Sequence, residues 1–241
     1  METESAGAHT GAATGGVLVP RALHDLRAER RPVPGTGVAA GVGVLTYPTT
    51  CVVLVTGLPG AGKSTLLARV VHPERGVVVL DADRVRARWE HRVGRLPYGV
   101  YRPLVRLSHY GEVARALRGP GAVVVHDSGR NPFMRRAILF AARRRGNPVH
   151  ALLLDVTARQ ALSGQRERGR GVSMSVFARH HREWRDLLAR LSPRPADPGG
   201  HVPEGFASCV LLDRSAASGL STIAFADHVP RQARRRGTAA S

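Results

Sequence analysis

The most specific chemistry in this chain lies in residues 57–65, GLPGAGKST, which match the pattern G-x-x-x-x-G-K-[ST] at Gly57, Gly62, Lys63 and Ser64. Glycines let a loop wrap around phosphate oxygens without side-chain clashes. The backbone N–H groups of Gly60, Ala61, Gly62, Lys63, Ser64 and Thr65, together with the start of a following helix, then offer donors to an anion. Lys63 is placed to reach the β- and γ-phosphates of a nucleoside triphosphate, and the Ser64 hydroxyl to ligate Mg²⁺. Of the 36 Lys and Arg residues, all but Lys63 are arginine. A slim ammonium enters such a loop where a wide guanidinium fork does not fit. ATP with Mg²⁺ is the expected ligand pair.

Three further groups have the right residue types for phosphoryl transfer. LDADRVR (80–86) places Asp81 and Asp83 at the end of an apolar run, with Arg86 one helical turn beyond Asp83. Asp83 can accept the proton of an acceptor hydroxyl, while Asp81 and Arg86 line the acceptor side and Arg86 holds an acceptor anion. The competing reading has Asp83 capping a helix and Arg86 as a solvated charge. VVVHD (123–127) closes on Asp127, a candidate for holding Mg²⁺ or for capping the next turn. Ser128 follows it where hydrolytic motors commonly carry Glu. QRERGRG (165–171) brings Arg166, Arg168 and Arg170 together, either as a lid that stabilises transition-state charge or as an exposed basic helix end. LSGQR (162–166) looks like the signature of transporter ATPases. It follows the VVVHD run instead of preceding it, and no apolar strand ending in Asp-Glu comes after, so it is set aside.

These residues need elements to position them. Five continuous apolar runs have strand length: 51–56, 77–81, 122–127, 149–155 and 208–212. Continuous rather than alternating apolar character predicts strands buried on both faces of a parallel sheet. Helical spacing fills the gaps, at 83–93, 103–118, 132–145, 157–168 and 174–191. Strands alternating with helices predict an α/β fold with a doubly wound five-stranded parallel sheet, a three-layer sandwich with its ligand at the carboxyl ends of the strands. The loop at 57–65, Asp81, Asp127 and Asp155 all fall at such ends, and Asp213 does likewise. His126 is expected buried and hydrogen-bonded, His180 and His181 in packing or surface roles, Trp89 and Trp184 as core or pocket walls. Arg214 is placed either against adenine or in solvent.

Composition bounds the remainder. The chain has 241 residues and a formal charge of +18. Residues 51–230 hold 28 basic against 14 acidic residues, so the excess belongs to the folded part. That favours a phosphate-rich partner but equally fits compositional drift toward Arg. With 5% aromatics there are few stacking platforms for nucleic acid. No apolar run approaches the ~18 residues of a membrane-spanning helix. The first sixteen residues lack the features of a secretory signal, and two cysteines make no disulfide framework; a cytoplasmic protein is expected. Residues 1–48 read as a flexible extension, with a short helix over 18–31. Residues 49–230 read as the kinase-type domain with an Arg-rich lid near 163–172, and 231–241 as a disordered basic tail.

From about Thr50 to Asp213 the chain resembles P-loop kinases of the polynucleotide 5′-hydroxyl kinase and zeta-toxin-like group, which carry an AAA-type ATP-binding domain. The likeness lies in four blocks in order: GLPGAGKST, DADRVR, VVVHDSGRNPFMRR and QRERGRGVSMSVFARHHREW. The resemblance implies a P-loop NTPase fold of kinase type. It implies Lys63 and Ser64 on ATP and Mg²⁺, Asp83 as general base, Arg86 on the acceptor's phosphate, Asp127 near the metal, and Arg166 and Arg170 as paired lid residues. The acceptor implied is a nucleic-acid 5′ end, with a small hydroxyl compound as the alternative on the same scaffold. An ATPase or nucleotide switch without phosphotransfer is the reading from a different class. Oligomeric state is not specified by any of these features.

Overall fold

The computed structural model describes residues 16–27, 41–72, 76–126, 132–167, 173–191, 202 and 205–227. Asp127, Ser128, Arg168 and Arg170 lie outside the described residues. In chain order the elements are β1 (Gly16–Leu18), β2 (Leu23–Asp25), β3 (Val42–Tyr47), β4 (Val52–Gly57), α1 (Lys63–Val70), β5 (Val77–Asp81), α2 (Ala82–Val93) and α3 (Tyr98–Ala116). They continue with β6 (Ala122–His126), α4 (Pro132–Arg143), β7 (Val149–Leu154), α5 (Ala158–Glu167), α6 (Met174–Leu191), β8 (Ser208–Leu212), α7 (Arg214–Gly219) and β9 (Thr222–Phe225).

A parallel sheet with strand order β2-β8-β7-β4-β6-β5 forms the centre of the molecule. β4 and β7 are buried at every residue, in keeping with their largely apolar runs. Val52, Leu54, Val123 and Val125 face one way and pack with Val113 of α3, Leu117 at its C-cap, and Ile138, Leu139 and Ala142 of α4. Val53, Val55 and Val124 face the other way, in one cluster with Leu66, Leu67 and Val70 of α1, Ala161 of α5, and Phe177, Trp184 and Leu187 of α6. Helices on both faces of a parallel sheet make a three-layer α/β sandwich. Between β4 and its neighbours β6 and β7 the winding reverses, so a crevice opens at the carboxyl ends of these strands.

Two expectations change. The five predicted strands are present, and β2 adds a sixth at the edge, pairing Leu23, His24 and Asp25 with Cys209, Val210 and Leu211. Residues 1–48 are therefore not an appendage throughout. Leu23, Leu26, Leu45 and Tyr47 are buried in the main core, and 23–25 is a strand where a helix was expected. A second, three-stranded parallel sheet, β1-β3-β9, joins this N-terminal segment to residues 222–225 near the other end. The third helix also begins earlier than predicted, at Tyr98 rather than Pro103. Its first turns are held by Tyr101, buried with Val85 and Val105 and set edge-on to Tyr98 at 5.4 Å.

Candidate active site

The phosphate loop joins β4 to α1. Gly60 has φ +86°, a left-handed conformation that side chains rarely adopt, and a Cβ there would overlap the Ala161 carbonyl oxygen of α5. Gly62, at φ 97°, is the N-cap of α1 and makes no side-chain cap bond. The N–H groups of the first turn of α1 thus lie beyond the helix's own ladder and face the loop end. One predicted donor differs: the Ala61 N–H is given to the Leu58 carbonyl at 3.0 Å, closing the loop on itself. Lys63 is 5% exposed, and its Nζ donates to the Gly57 and Leu58 carbonyls at 2.9 and 3.0 Å. The ammonium is therefore held at the loop by two of its carbonyl oxygens.

Sheet register assembles the next layer. Asp81 of β5 lies opposite His126 of β6, and His126 lies opposite Val55 of β4. His126 Nδ1 is 2.8 Å from Asp81 Oδ1 and 3.5 Å from Ser64 Oγ, so a polar chain runs from the second predicted strand to the loop serine. Burial works to raise the Asp81 carboxyl. The His126 hydrogen bond and charge, the Asp83 N–H and nearby Arg84 outweigh it and hold Asp81 below its ordinary value. Among the described residues no three His, Cys, Asp or Glu side chains cluster to hold a metal by themselves. A Mg²⁺ carried by nucleotide phosphates needs only a hydroxyl and waters, which the half-buried Ser64 beside the Asp81–His126 hydrogen bond fits.

α2 begins straight off β5, and its N-cap is Asp81, whose Oδ1 accepts the Asp83 N–H at 2.9 Å. The capping role considered for Asp83 falls to Asp81, and the Asp83 side chain stands exposed in the first turn. Arg86 lies one turn on. Its guanidinium rests over the Tyr98 ring at 4.1 Å and 3.5 Å from Glu90, so the cation is oriented rather than loose.

α5 supplies the side of the loop that the sequence reading set aside. Gly164 and Gln165 are buried against the phosphate loop, and Gln165 Nε2 donates to the Pro59 carbonyl at 2.9 Å. Arg166, in the last turn of that helix, is exposed. Asp155, at the end of β7, is buried and taken up structurally: Arg27 bonds one carboxylate oxygen at 2.7 Å and Trp184 Nε1 the other at 3.1 Å. Asp213 caps α7 through the Ala216 N–H. A cavity of about 590 Å³, lined by Tyr47, Pro148 and His150 among others, opens at the amino-terminal ends of β7 and β8. It lies at the edge of the sheet opposite the loop and is no part of this site.

The Asp81–His126–Ser64 chain and the α5 contacts are the features sequence reasoning did not assign. The first had a signal in the His directly before Asp127. The second had one in the Gly-Gln pair of LSGQR.

Comparison with known proteins agrees with this geometry. Residues 52–193 match the model of an AAA domain family. No curated protein sequence matches the chain. In fold it is similar to a chain of the Pnkp1/Rnl/Hen1 RNA repair complex, at 14% identity over 61% of this chain and 47% of that one, with a TM-score of 0.50. It is also similar to a gluconokinase from Sinorhizobium meliloti (17% identity, 72% and 93% covered, TM-score 0.41). A third likeness is to the PezAT toxin–antitoxin system of Streptococcus pneumoniae (13%, 52% and 54%, TM-score 0.42). The chain spans about half the length of the first and third of these. No described helix is long and apolar enough to cross a membrane. With a matched region covering more than half its length, the chain belongs to the AAA domain family.

Proposed function

We propose that this protein is an ATP-dependent kinase that transfers the γ-phosphate to an acceptor hydroxyl, with a nucleic-acid 5′-hydroxyl end as acceptor. The observation that carries the reading is the division of labour at the start of α2. Asp81 takes the helix cap and the His126 contact, which leaves Asp83 exposed at the carboxyl edge of the sheet. A carboxylate there, one helical turn from an oriented Arg86, suits a base that accepts the hydroxyl proton while the cation holds an acceptor anion. Lys63 and the N–H groups at the start of α1 bind the transferring phosphates. Ser64 would hold the Mg²⁺ that screens their charge, with Asp127, next in sequence to His126, as the other candidate ligand. Arg166 and Arg170 close over the phosphates as the reaction proceeds. Catalysis of this kind is dominated by positioning and charge stabilisation, with ATP and acceptor oxygens in line.

The test is an acceptor screen with γ-labelled ATP and Mg²⁺, run on 5′-hydroxyl oligonucleotides and on small hydroxyl compounds. Label in the oligonucleotide, falling steeply as salt rises, supports the reading. Label only in a small compound leaves a kinase with a different acceptor. ADP formed with no phosphorylated acceptor, unchanged by Asp83→Asn, overturns phosphotransfer in favour of an ATPase or nucleotide switch.

A further inference from the structure

Apart from Arg166, LSGQR plays no part in the transfer chemistry proposed above, yet its helix lies directly against the phosphate loop. Gly60 approaches α5 so closely that a Cβ would overlap the Ala161 oxygen, and a Cβ on Gly164 would overlap the Gly60 oxygen. The loop backbone and the helix backbone are thus in direct contact, with a glycine on each side of the junction. Into this junction Gln165, 5% exposed, sends Nε2 to the Pro59 carbonyl at 2.9 Å. A trans peptide is planar, with its C=O and N–H pointing in opposite directions. Fixing the Pro59 oxygen on α5 therefore turns the N–H of the same peptide, that of Gly60, away from Gln165. The next residue after Gln165 is Arg166, so one rigid helical turn touches the cradle and carries the first lid arginine.

From this we infer that Gln165 is a positioning residue for nucleotide binding: its amide holds the Pro59–Gly60 peptide in the orientation that presents the Gly60 N–H to phosphate. Gly164 is the second half of the device, because only glycine lets α5 come close enough for the Gln165 amide to reach. The inference rests on the ATP reading of the loop and adds a residue to it.

The experiment measures Mg²⁺-ATP affinity of the full chain by calorimetry for wild type, Gln165→Glu and Gln165→Met, at pH 7.5 and at about pH 5. At pH 7.5 both variants are expected to bind about tenfold more weakly, the scale of one buried hydrogen bond lost. Burial raises a carboxyl, so Gln165→Glu becomes protonated on acidification and regains a donor for the Pro59 carbonyl. Its affinity relative to wild type at the same pH is then restored to within about threefold, whereas Gln165→Met, which has no proton to regain, stays about tenfold weak at both. A merely structural role does not produce that selective recovery. If either variant binds within twofold of wild type at pH 7.5, or if Gln165→Glu shows no recovery, the inference is overturned. If Gln165→Glu does not fold, Gln165→Met decides on its pH 7.5 affinity. Wild-type protein that binds no ATP overturns the ATP reading itself, and so is told apart from failure of the Gln165 inference alone.

Discussion

Removing the positive charge of Arg27 tests whether the N-terminal segment belongs to the fold. Arg27 Nε and one terminal nitrogen bond both oxygens of Asp25 at 2.7 and 2.5 Å, and the other terminal nitrogen bonds Asp155 at 2.7 Å. The three side chains are 11%, 10% and 5% exposed. The Asp25 hydrogen bond first, working against burial, and then Asp155 raise the Arg27 pKa further, so the guanidinium stays charged throughout any accessible pH. Arg27→Met keeps most of the apolar stem but leaves two nearly buried carboxylates without their cation. Breaking a buried pair in this way costs about 3–5 kcal/mol. Asp155 keeps its Trp184 bond and Asp25 keeps the Arg27 backbone N–H, which places the expected loss at the lower end, about 3 kcal/mol. With a urea slope of about 2–3 kcal/mol/M, the midpoint moves down by roughly 1–1.5 M. Trp184 touches Asp155 directly, so its fluorescence reports the transition at the site of the change. Adding Asp155→Asn to Arg27→Met removes one of the stranded charges and is expected to recover part of the loss. A loss below about 0.5 kcal/mol, the range of ordinary surface substitutions, refutes the reasoning and returns residues 16–27 to the status of an appendage.

Three further outcomes are expected. Asp83→Asn is expected to lower phosphoryl transfer by ~10²-fold or more while Mg²⁺-ATP affinity stays within about twofold, because the side chain is exposed and outside the phosphate loop; equal transfer rates in an end-labelling assay contradict its proposed role as base. Gly60→Ala combines left-handed backbone strain of about 1–2 kcal/mol with overlap against the Ala161 oxygen. It is expected to weaken ATP binding and lower the melting temperature together, both readable in one thermal-shift titration. Asp81 titrates below its ordinary value when folded, so it adds stability that is fully present above its unfolded pKa of ~3.9 and is lost as pH falls through the folded value. Asp81→Asn is therefore expected to be less stable than wild type at neutral pH and to approach it in acid urea titrations; a pH-independent difference contradicts the sign.

What could be read from sequence, and what could not, divides along sequence distance. β4, β6, β7 and β8 announce themselves because a strand buried on both faces is largely apolar, and β5, at the sheet edge with Val78 exposed, carries a similar run. Leu-His-Asp at 23–25 carries no such mark. It is a strand because β8, nearly two hundred residues away, leaves an edge for it and because Asp25, Arg27 and Asp155 close the corner. The loop and Lys63 are legible since their chemistry is local, and the exchange of roles between Asp81 and Asp83 is not, since it depends on His126 standing across the register from Asp81. Gln165 is the extreme case. Its partner is a backbone carbonyl, which has no residue type to recognise, at a separation of 106 positions. A motif search weighs side chains against side chains, and a side chain that works by holding a peptide plane is invisible to it. The two glycines that allow the contact, Gly60 and Gly164, are the trace it leaves, because the close approach of two backbones excludes every other residue at both positions.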